Sequence, residues 1–197
     1  MRIVKNKLPF PHVIIHDFYT DIELCDIWRE IDFLSYPNKL HLPEETNSAV
    51  DDNGIPLKNN LAIQLDKVYT DRRYSSILSV NRKSFSAELL YEIAEFDFSF
   101  NNLITCNSDA TMLSYYLNGG HYRPHRDVAT YTSLCWFYKK PKSFVGGDLY
   151  FPDYDYTVEV KNNMQIYFMS SILHGVTEVE GHGRYTLTQF YSNDCGK

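Results

Sequence analysis

Hydrophobic and polar positions alternate in two different ways along this chain. In the first part the repeat is helical: Leu24, Cys25, Trp28 and Ile31 recur so as to share one face. Thr20 followed by Glu23 forms a capping box, so the helix is expected to begin near Asp21. Phe85, Leu89 and Ile93, four apart, predict a second helix over about residues 82–96. Residues 13–15, β-branched and just after Pro11, read as a short strand. Between the helices, residues 36–60 are polar and rich in turn formers: Pro37, Asn38, Pro43, Asp51, Asp52, Asn53, Gly54 and Pro56. A loop of this length is either disordered or functional, for example a flap facing a substrate.

From about residue 110 the repeat shortens. Runs of Tyr, Phe, Val, Leu and Thr at 111–117, 121–127, 131–138, 148–151, 156–160, 165–169, 172–178 and 184–191 are separated by Gly, Pro, Asn and Asp. Eight short strands at near-regular spacing predict a β sandwich or barrel with the N-terminal helices laid against it. A length of 197 residues suits a single domain. The expected division is residues 1–105 as helical and loop support with the flap, and 106–192 as the β core.

Composition narrows the function classes. Sixteen Tyr and twelve Phe bring aromatics to 15%, in keeping with β structure. A formal charge of −6, with no basic stripe, argues against a nucleic-acid groove. Cys25, Cys106, Cys135 and Cys195 lie far apart without a C-x-x-C pair, so buried thiols are expected rather than a zinc site or redox dithiol. No apolar run has the length of a signal peptide or membrane span, and the expected setting is soluble, reducing and cytoplasmic, without a membrane partner. Nothing in the pattern fixes an oligomeric state.

The chemistry concentrates in three places. His125 and Asp127, two apart on a predicted strand, point to one face and offer an imidazole and a carboxylate to one point. Such a pair is two-thirds of the 2-His-1-carboxylate triad of non-haem iron, although H-x-D alone also arises by chance. His174 lies on the seventh predicted strand, which in an eight-strand jelly roll can lie beside the second. Alone it reads better as a core histidine satisfied by hydrogen bonds. Arg184 and Thr186 share a face on the last strand, with Arg184 ten positions after His174. A guanidinium fork with an adjacent hydroxyl suits a buried carboxylate, a better use for that position than a surface ion pair.

This order of motifs resembles the Fe(II)/2-oxoglutarate dioxygenases, and among them the prolyl 4-hydroxylases. The stretch from Tyr115 to Asp127, YYLNGGHYRPHRD, is similar to their Y-x-x-G-x-x-Y-x-x-H-x-D signature. Gly146-Gly147-Asp148-Leu149 resembles their G-G-x-L turn, and His174-Gly175-Val176 with Gly183-Arg184 completes the set. The Pro9-Phe10-Pro11-His12-Val13 opening before a capped helix is also similar. The resemblance runs from about residue 9 to 191 and is weakest over 36–80.

It implies a double-stranded β-helix (jelly-roll) core that is mainly β with flanking helices. By the same resemblance His125, Asp127 and His174 would ligate Fe(II), and 2-oxoglutarate would place its far carboxylate on Arg184. Thr186, Tyr138 and Tyr116 are implied as polar contacts to that cosubstrate, Leu149 and Val176 as apolar walls, and Tyr122 and Phe190 as residues near the substrate. O₂ is the co-reactant, succinate and CO₂ are released, and ascorbate is a candidate reductant. The substrate expected is a prolyl residue in a protein or peptide. A free amino acid or other small molecule, and a non-catalytic metal-binding jelly-roll module, are the alternatives. A structural zinc site would need four ligands and leave Arg184 without a purpose. Halogenases of the superfamily lack the carboxylate ligand that Asp127 supplies. Nucleic-acid demethylases carry R-x-N-x-T-x-R on the last strand, where this chain has Phe190 in place of the second Arg. Collagen-type members use Lys at the place of Arg184, which argues against a collagen-like substrate.

Overall fold

The computed structural model describes residues 1–35 and 39–193. Pro37, Asn38 and Cys195 therefore lie outside the described residues. A hairpin of β1 (Arg2–Asn6) and β2 (His12–His16) precedes α1 (Asp21–Ser35). Then come β3 (Lys58–Asn59), β4 (Leu61–Gln64), α2 (Leu65–Val68), α3 (Ser76–Asn81) and α4 (Ala87–Ala94). The remaining strands are β5 (Ser108–Tyr116), β6 (His121–His125), β7 (Tyr131–Phe137), β8 (Phe144–Gly146) and β9 (Leu149–Phe151). They continue with β10 (Tyr156–Val158), β11 (Met164–Met169), β12 (His174–Val176), β13 (Val179–Gly181) and β14 (Arg184–Ser192).

Two antiparallel sheets face each other, as expected for a jelly roll. The large one runs β1-β2-β11-β7-β14-β5-β4, the small one β10-β9-β12-β6-β3, with β13 and β8 forming a separate pair. Strand alternation gives the large sheet two buried faces. Leu113, Cys135, Tyr167, Leu187 and Tyr191 face α1, α3 and α4 in one core. Leu134, Trp136, Ile166 and Phe168 face the small sheet in a second core with Leu149, Phe151 and Val176. Side chains at i and i+1 thus serve different cores, which is why these strands read as nearly continuous apolar runs.

The capping box at the start of α1 is formed. Thr20 N donates to Glu23 Oε2 (2.7 Å), and Glu23 N donates to Thr20 Oγ1 (3.3 Å). The buried stripe is Ile27, Ile31 and Leu34 with Leu24 and Trp28 packed at its edge, whereas Cys25 is exposed, a correction to the expected buried thiol. The helix expected over 82–96 is broken. Arg82–Phe85 form a 3-10 turn, Ser86 is extended (φ −64°, ψ 134°), and α4 begins after it. The cause is local: the Ser86 hydroxyl accepts from Leu89 N and caps a new helix, which competes with continuation of the old one. Within 36–60, the described residues are ordered by the Pro43–Glu45 turn, by bridges His41↔Ala62 and Val50↔Pro56, and by β3 pairing with β6. Among the described residues no helix is long and apolar enough to cross a membrane.

One buried acid joins the helical layer together. Glu30 on α1 accepts from Ser75 Oγ (2.7 Å) and Ile77 N (2.8 Å) at the start of α3. Glu30→Ala would leave both donors buried without a partner, and is expected to lower the unfolding free energy by about 2 kcal/mol. Urea denaturation checks this; an unchanged midpoint would remove Glu30 as the tie between α1 and α3.

Candidate functional site

The small sheet sets the first two side chains. β12 runs antiparallel to β6 with His174 directly across from His125, and their ring centroids are 4.5 Å apart. Each Nδ1 lies on the carbonyl two residues earlier, His125 on Arg123 O (3.0 Å) and His174 on Ile172 O (2.9 Å). Those contacts suit Nδ1–H donors, which leaves both Nε2 atoms as acceptors pointing the same way.

They point at Asp127. Nε2 of His125 is 3.5 Å from its Oδ1, and Nε2 of His174 is 3.4 Å from its Oδ2. Asp127 is not in β6 as the two-residue pattern implied, but two positions beyond its end. Its N–H donates to Ser170 O (3.0 Å), and Thr132 Oγ1 donates to Asp127 Oδ2 (2.6 Å) while also contacting Ser170 Oγ (2.8 Å). One ligand atom from each of the three residues lies within 4.8 Å of the others. Burial would raise the Asp127 carboxyl, but the His125 hydrogen bond, the two imidazoles and the Thr132 hydroxyl outweigh it and hold it below its ordinary value. Burial pushes the His174 imidazole down to about 4, with Asp127 opposing. An ionised carboxylate beside a neutral imidazole is the protonation state in which a divalent metal is held.

Arg184 lies across the cavity on β14 and is 1% exposed. Nε donates to Gly147 O (2.8 Å), Nη1 donates to Thr186 Oγ1 (2.6 Å), and the guanidinium lies 4.2 Å from the Tyr116 ring centroid. Among the described residues no carboxylate forms an ion pair with it. Burial brings it down to about 10, opposed by Tyr116 and Asp148. The approach of Gly147 is specific: at φ +71° an added Cβ would lie 2.6 Å from Arg184 Cδ, so a glycine there makes room for the guanidinium. A buried cation whose close partners are the Gly147 carbonyl, the Thr186 hydroxyl and Tyr116 has room in its charge balance for an anion.

A cavity of about 500 Å³ between the sheets joins these groups, a size suited to a small ligand. His125, Asp127, His174, Arg184, Thr186, Tyr116, Leu149, Val176, Tyr122 and Phe190 all line it. Tyr138 does not, which corrects its expected place at the cosubstrate. The chain has left β7 there: Tyr138 N donates to Asn162 Oδ1 (2.9 Å) and its ring packs edge-on against Phe144 (5.5 Å). Tyr122 stacks on His125 (centroids 3.6 Å apart, 15° between planes), and its hydroxyl accepts from Ala49 N (3.3 Å). Sequence reasoning missed Thr188, Met112 and Ser114, which line the cavity and which period two from Arg184 and Tyr116 would have found. Lys58 and residues 46–49, which also line the cavity, belong to the 36–60 segment read as disordered or as a flap facing a substrate, but a polar loop has no periodic signal to single out its individual residues.

Comparison with known proteins agrees with this geometry. Residues 111–192 match the family model of the 2OG-Fe(II) oxygenase superfamily, the stretch that carries all three clustered ligand candidates and Arg184. In fold the chain is similar to a Pseudomonas putida prolyl-4-hydroxylase (TM-score 0.61, 14% identity, 93% of this chain and 92% of that one). It is also similar to a 2OG-Fe(II) oxygenase family oxidoreductase from Burkholderia pseudomallei (0.61, 13%, 94% and 86%). A third likeness is to a viral collagen prolyl hydroxylase from Paramecium bursaria Chlorella virus-1, solved as a 2OG complex (0.53, 14%, 91% and 94%). No curated protein matches the chain by sequence.

The hydrogen bond from Thr132 orients Asp127 without itself being placed to touch a metal. Thr132→Val is therefore expected to weaken divalent-metal affinity about ten- to a hundredfold, read by titration with Co(II) or Fe(II). Affinity equal to the wild type would mean that Asp127 is not the group that holds the ion.

Proposed function

With the 2OG-Fe(II) oxygenase superfamily match as the premise, we propose that this chain is a single-domain Fe(II)- and 2-oxoglutarate-dependent hydroxylase acting on an unactivated C–H bond, with a prolyl residue of a protein or peptide as its substrate. The carrying observation is that one cavity holds both a His-Asp-His cluster and a buried guanidinium that has no ion-pair partner among the described residues. Neither alone requires the other; together they match the two ends of a keto acid bound to a metal.

The residues fit both groups. His125, Asp127 and His174 present three donor atoms of the types that non-haem iron takes, on one side of the cavity. Arg184, with Thr186 beside it, would hold the distal carboxylate of 2-oxoglutarate. Bound together, Fe(II), 2-oxoglutarate and O₂ supply oxidative decarboxylation to succinate and CO₂ coupled to hydroxylation of the substrate. The chain's own contribution is placement and exclusion of water. Arg184 fixes one end of the cosubstrate through a charge-assisted fork, Leu149 and Val176 close the apolar sides, and Tyr122 packs over the His125 ring. Thr132 and Ser170 hold Asp127 in place. A peptide substrate is supported by the open side of the cavity, where residues 46–49 and 126–129 form walls and Val128 is wholly exposed at the rim. Two of the proteins of similar fold are prolyl hydroxylases, which supports the same reading.

Arg184→Ala removes the charge-assisted anchor, worth roughly 1.5–3 kcal/mol, so 2-oxoglutarate should bind about ten- to a hundredfold more weakly while metal affinity is kept. Calorimetry on the Fe(II)-loaded, oxygen-free protein reads both; an unchanged 2-oxoglutarate titration would reassign the cavity. Asp127→Ala and His174→Ala should each lose succinate formation. Succinate release at the wild-type rate in either variant would remove the ligand assignment.

A further inference from the structure

The cavity contains a second unpaired cation that the proposed chemistry does not use. Lys58, on the two-residue edge strand β3, is 4% exposed and lines the cavity. Its partner in the register is Tyr122 on β6, and its Nζ lies 5.9 Å from the Tyr122 ring centroid. That ring in turn stacks on His125, so ammonium, phenol and imidazole follow one another towards the metal ligands. Among the described residues Lys58 has neither a hydrogen bond nor an ion pair. Of the other cations that line the cavity, Arg126 donates to Ser171 O and reaches Asp153 (3.4 Å), and Arg184 donates to Gly147 O and Thr186 Oγ1.

A lysine placed for structure alone normally extends its ammonium into bulk water along an apolar surface. Lys58 instead lines the cavity beside Tyr122, and the residue as a whole is almost fully covered. Burial without a counter-ion brings it down to about 8, still mostly protonated near neutrality. Such a charge is costly in the empty protein and is offset only when an anion enters. The 2-oxoglutarate carboxylates are already assigned to Arg184 and the metal, which leaves the substrate to provide that anion.

We infer that Lys58 anchors a carboxylate carried by the substrate, so that the site takes an acidic substrate and holds it with its reacting carbon over the Tyr122–His125 stack. This rests on the hydroxylase reading of the cavity and deepens it. The carboxylate has two possible sources, the free acid of a small amino acid or the side chain of an acidic residue in a peptide.

Matched probes distinguish them: L-proline against L-prolinamide, and an acetylated, amidated Ala-Pro-Glu tripeptide against its Ala-Pro-Gln counterpart. Each is titrated calorimetrically into oxygen-free, Fe(II)-loaded protein, with and without 2-oxoglutarate. In the wild type one carboxylate probe should bind about tenfold or more tightly than its neutral partner, as expected for a charge-assisted contact. The proline pair identifies a free acid and the tripeptide pair a peptide side chain. The preference should fall to near unity in Lys58→Met, survive in Lys58→Arg, and leave 2-oxoglutarate affinity within about twofold of the wild type. Lys58→Met should also melt no lower than the wild type, because it replaces an uncompensated charge with an apolar chain of similar length. Equal binding within both pairs in the wild type, or a preference retained in Lys58→Met, overturns the inference. So does a parallel loss of 2-oxoglutarate affinity, which would place Lys58 on the cosubstrate. Wild-type protein that binds no 2-oxoglutarate would overturn the hydroxylase reading instead, and the probe titrations without 2-oxoglutarate would still decide Lys58.

Discussion

The register of β14 is the constraint on which both the core and the cavity depend. This strand lies between β5 and β7, paired from Arg184↔Tyr116 to Ser192↔Ser108 on one side and from Tyr185↔Phe137 to Tyr191↔Tyr131 on the other. Its odd positions Tyr185, Leu187 and Tyr191 pack into the helix-side core. Its even positions Arg184, Thr186, Thr188 and Phe190 line the cavity. A slip of one residue would drive the guanidinium into the helical core and Leu187 into the cavity, so burial on both faces specifies a single register. The anion site and the stability of the large sheet are therefore set by the same pairing, and neither can change without the other.

The small sheet solves a different problem, that of aiming. His125 and His174 each bond the carbonyl two residues earlier, but so do His12 (to Phe10 O) and His121 (to Gly119 O). That local bond is a property of extended histidines in this chain and does not mark a metal site. What separates His125 and His174 is the β6–β12 pairing, which brings the rings together, and the chain leaving β6 so that Asp127 turns back on both. Thr132 and Ser170 belong to the large sheet and the turn after β11, so the carboxylate is positioned from one layer and the imidazoles from the other. The cluster exists only when the two layers are packed.

This explains which features could be read from the sequence. Strand alternation from residue 110 onward and the order of motifs located the β core, the three clustered residues and Arg184, because period two and pairing order carry that information. The pairing of the second and seventh predicted strands followed from topology alone. The break at Ser86 was hidden because apolar spacing is blind to a hydroxyl that caps a helix locally. Tyr138, placed at the cosubstrate by the family resemblance, lies one position past the end of β7, where its backbone N–H donates to Asn162 Oδ1. Lys58 had no signal of its own within the 36–60 segment. A lysine in a polar stretch reads as solvated, and only the closure of β3 on β6 shows that it is enclosed.

The charges around the cavity can be weighed together. Among the described residues Asp127 is the only carboxylate lining it, against Lys58, Arg126 and Arg184. Arg126 is exposed and answered by Asp153, which leaves two enclosed cations and one enclosed anion. Occupancy by a divalent ion and a doubly charged keto acid adds no net charge, since the ion's two positive charges balance the two carboxylates. The enclosed sum therefore remains at one positive charge whether or not cofactor and cosubstrate are bound. That residual charge resides on Lys58, beside the aromatic stack that leads to the His-Asp-His cluster. Coulombic attraction strengthens as water is excluded, so a net positive lining favours an anion over a neutral or cationic ligand.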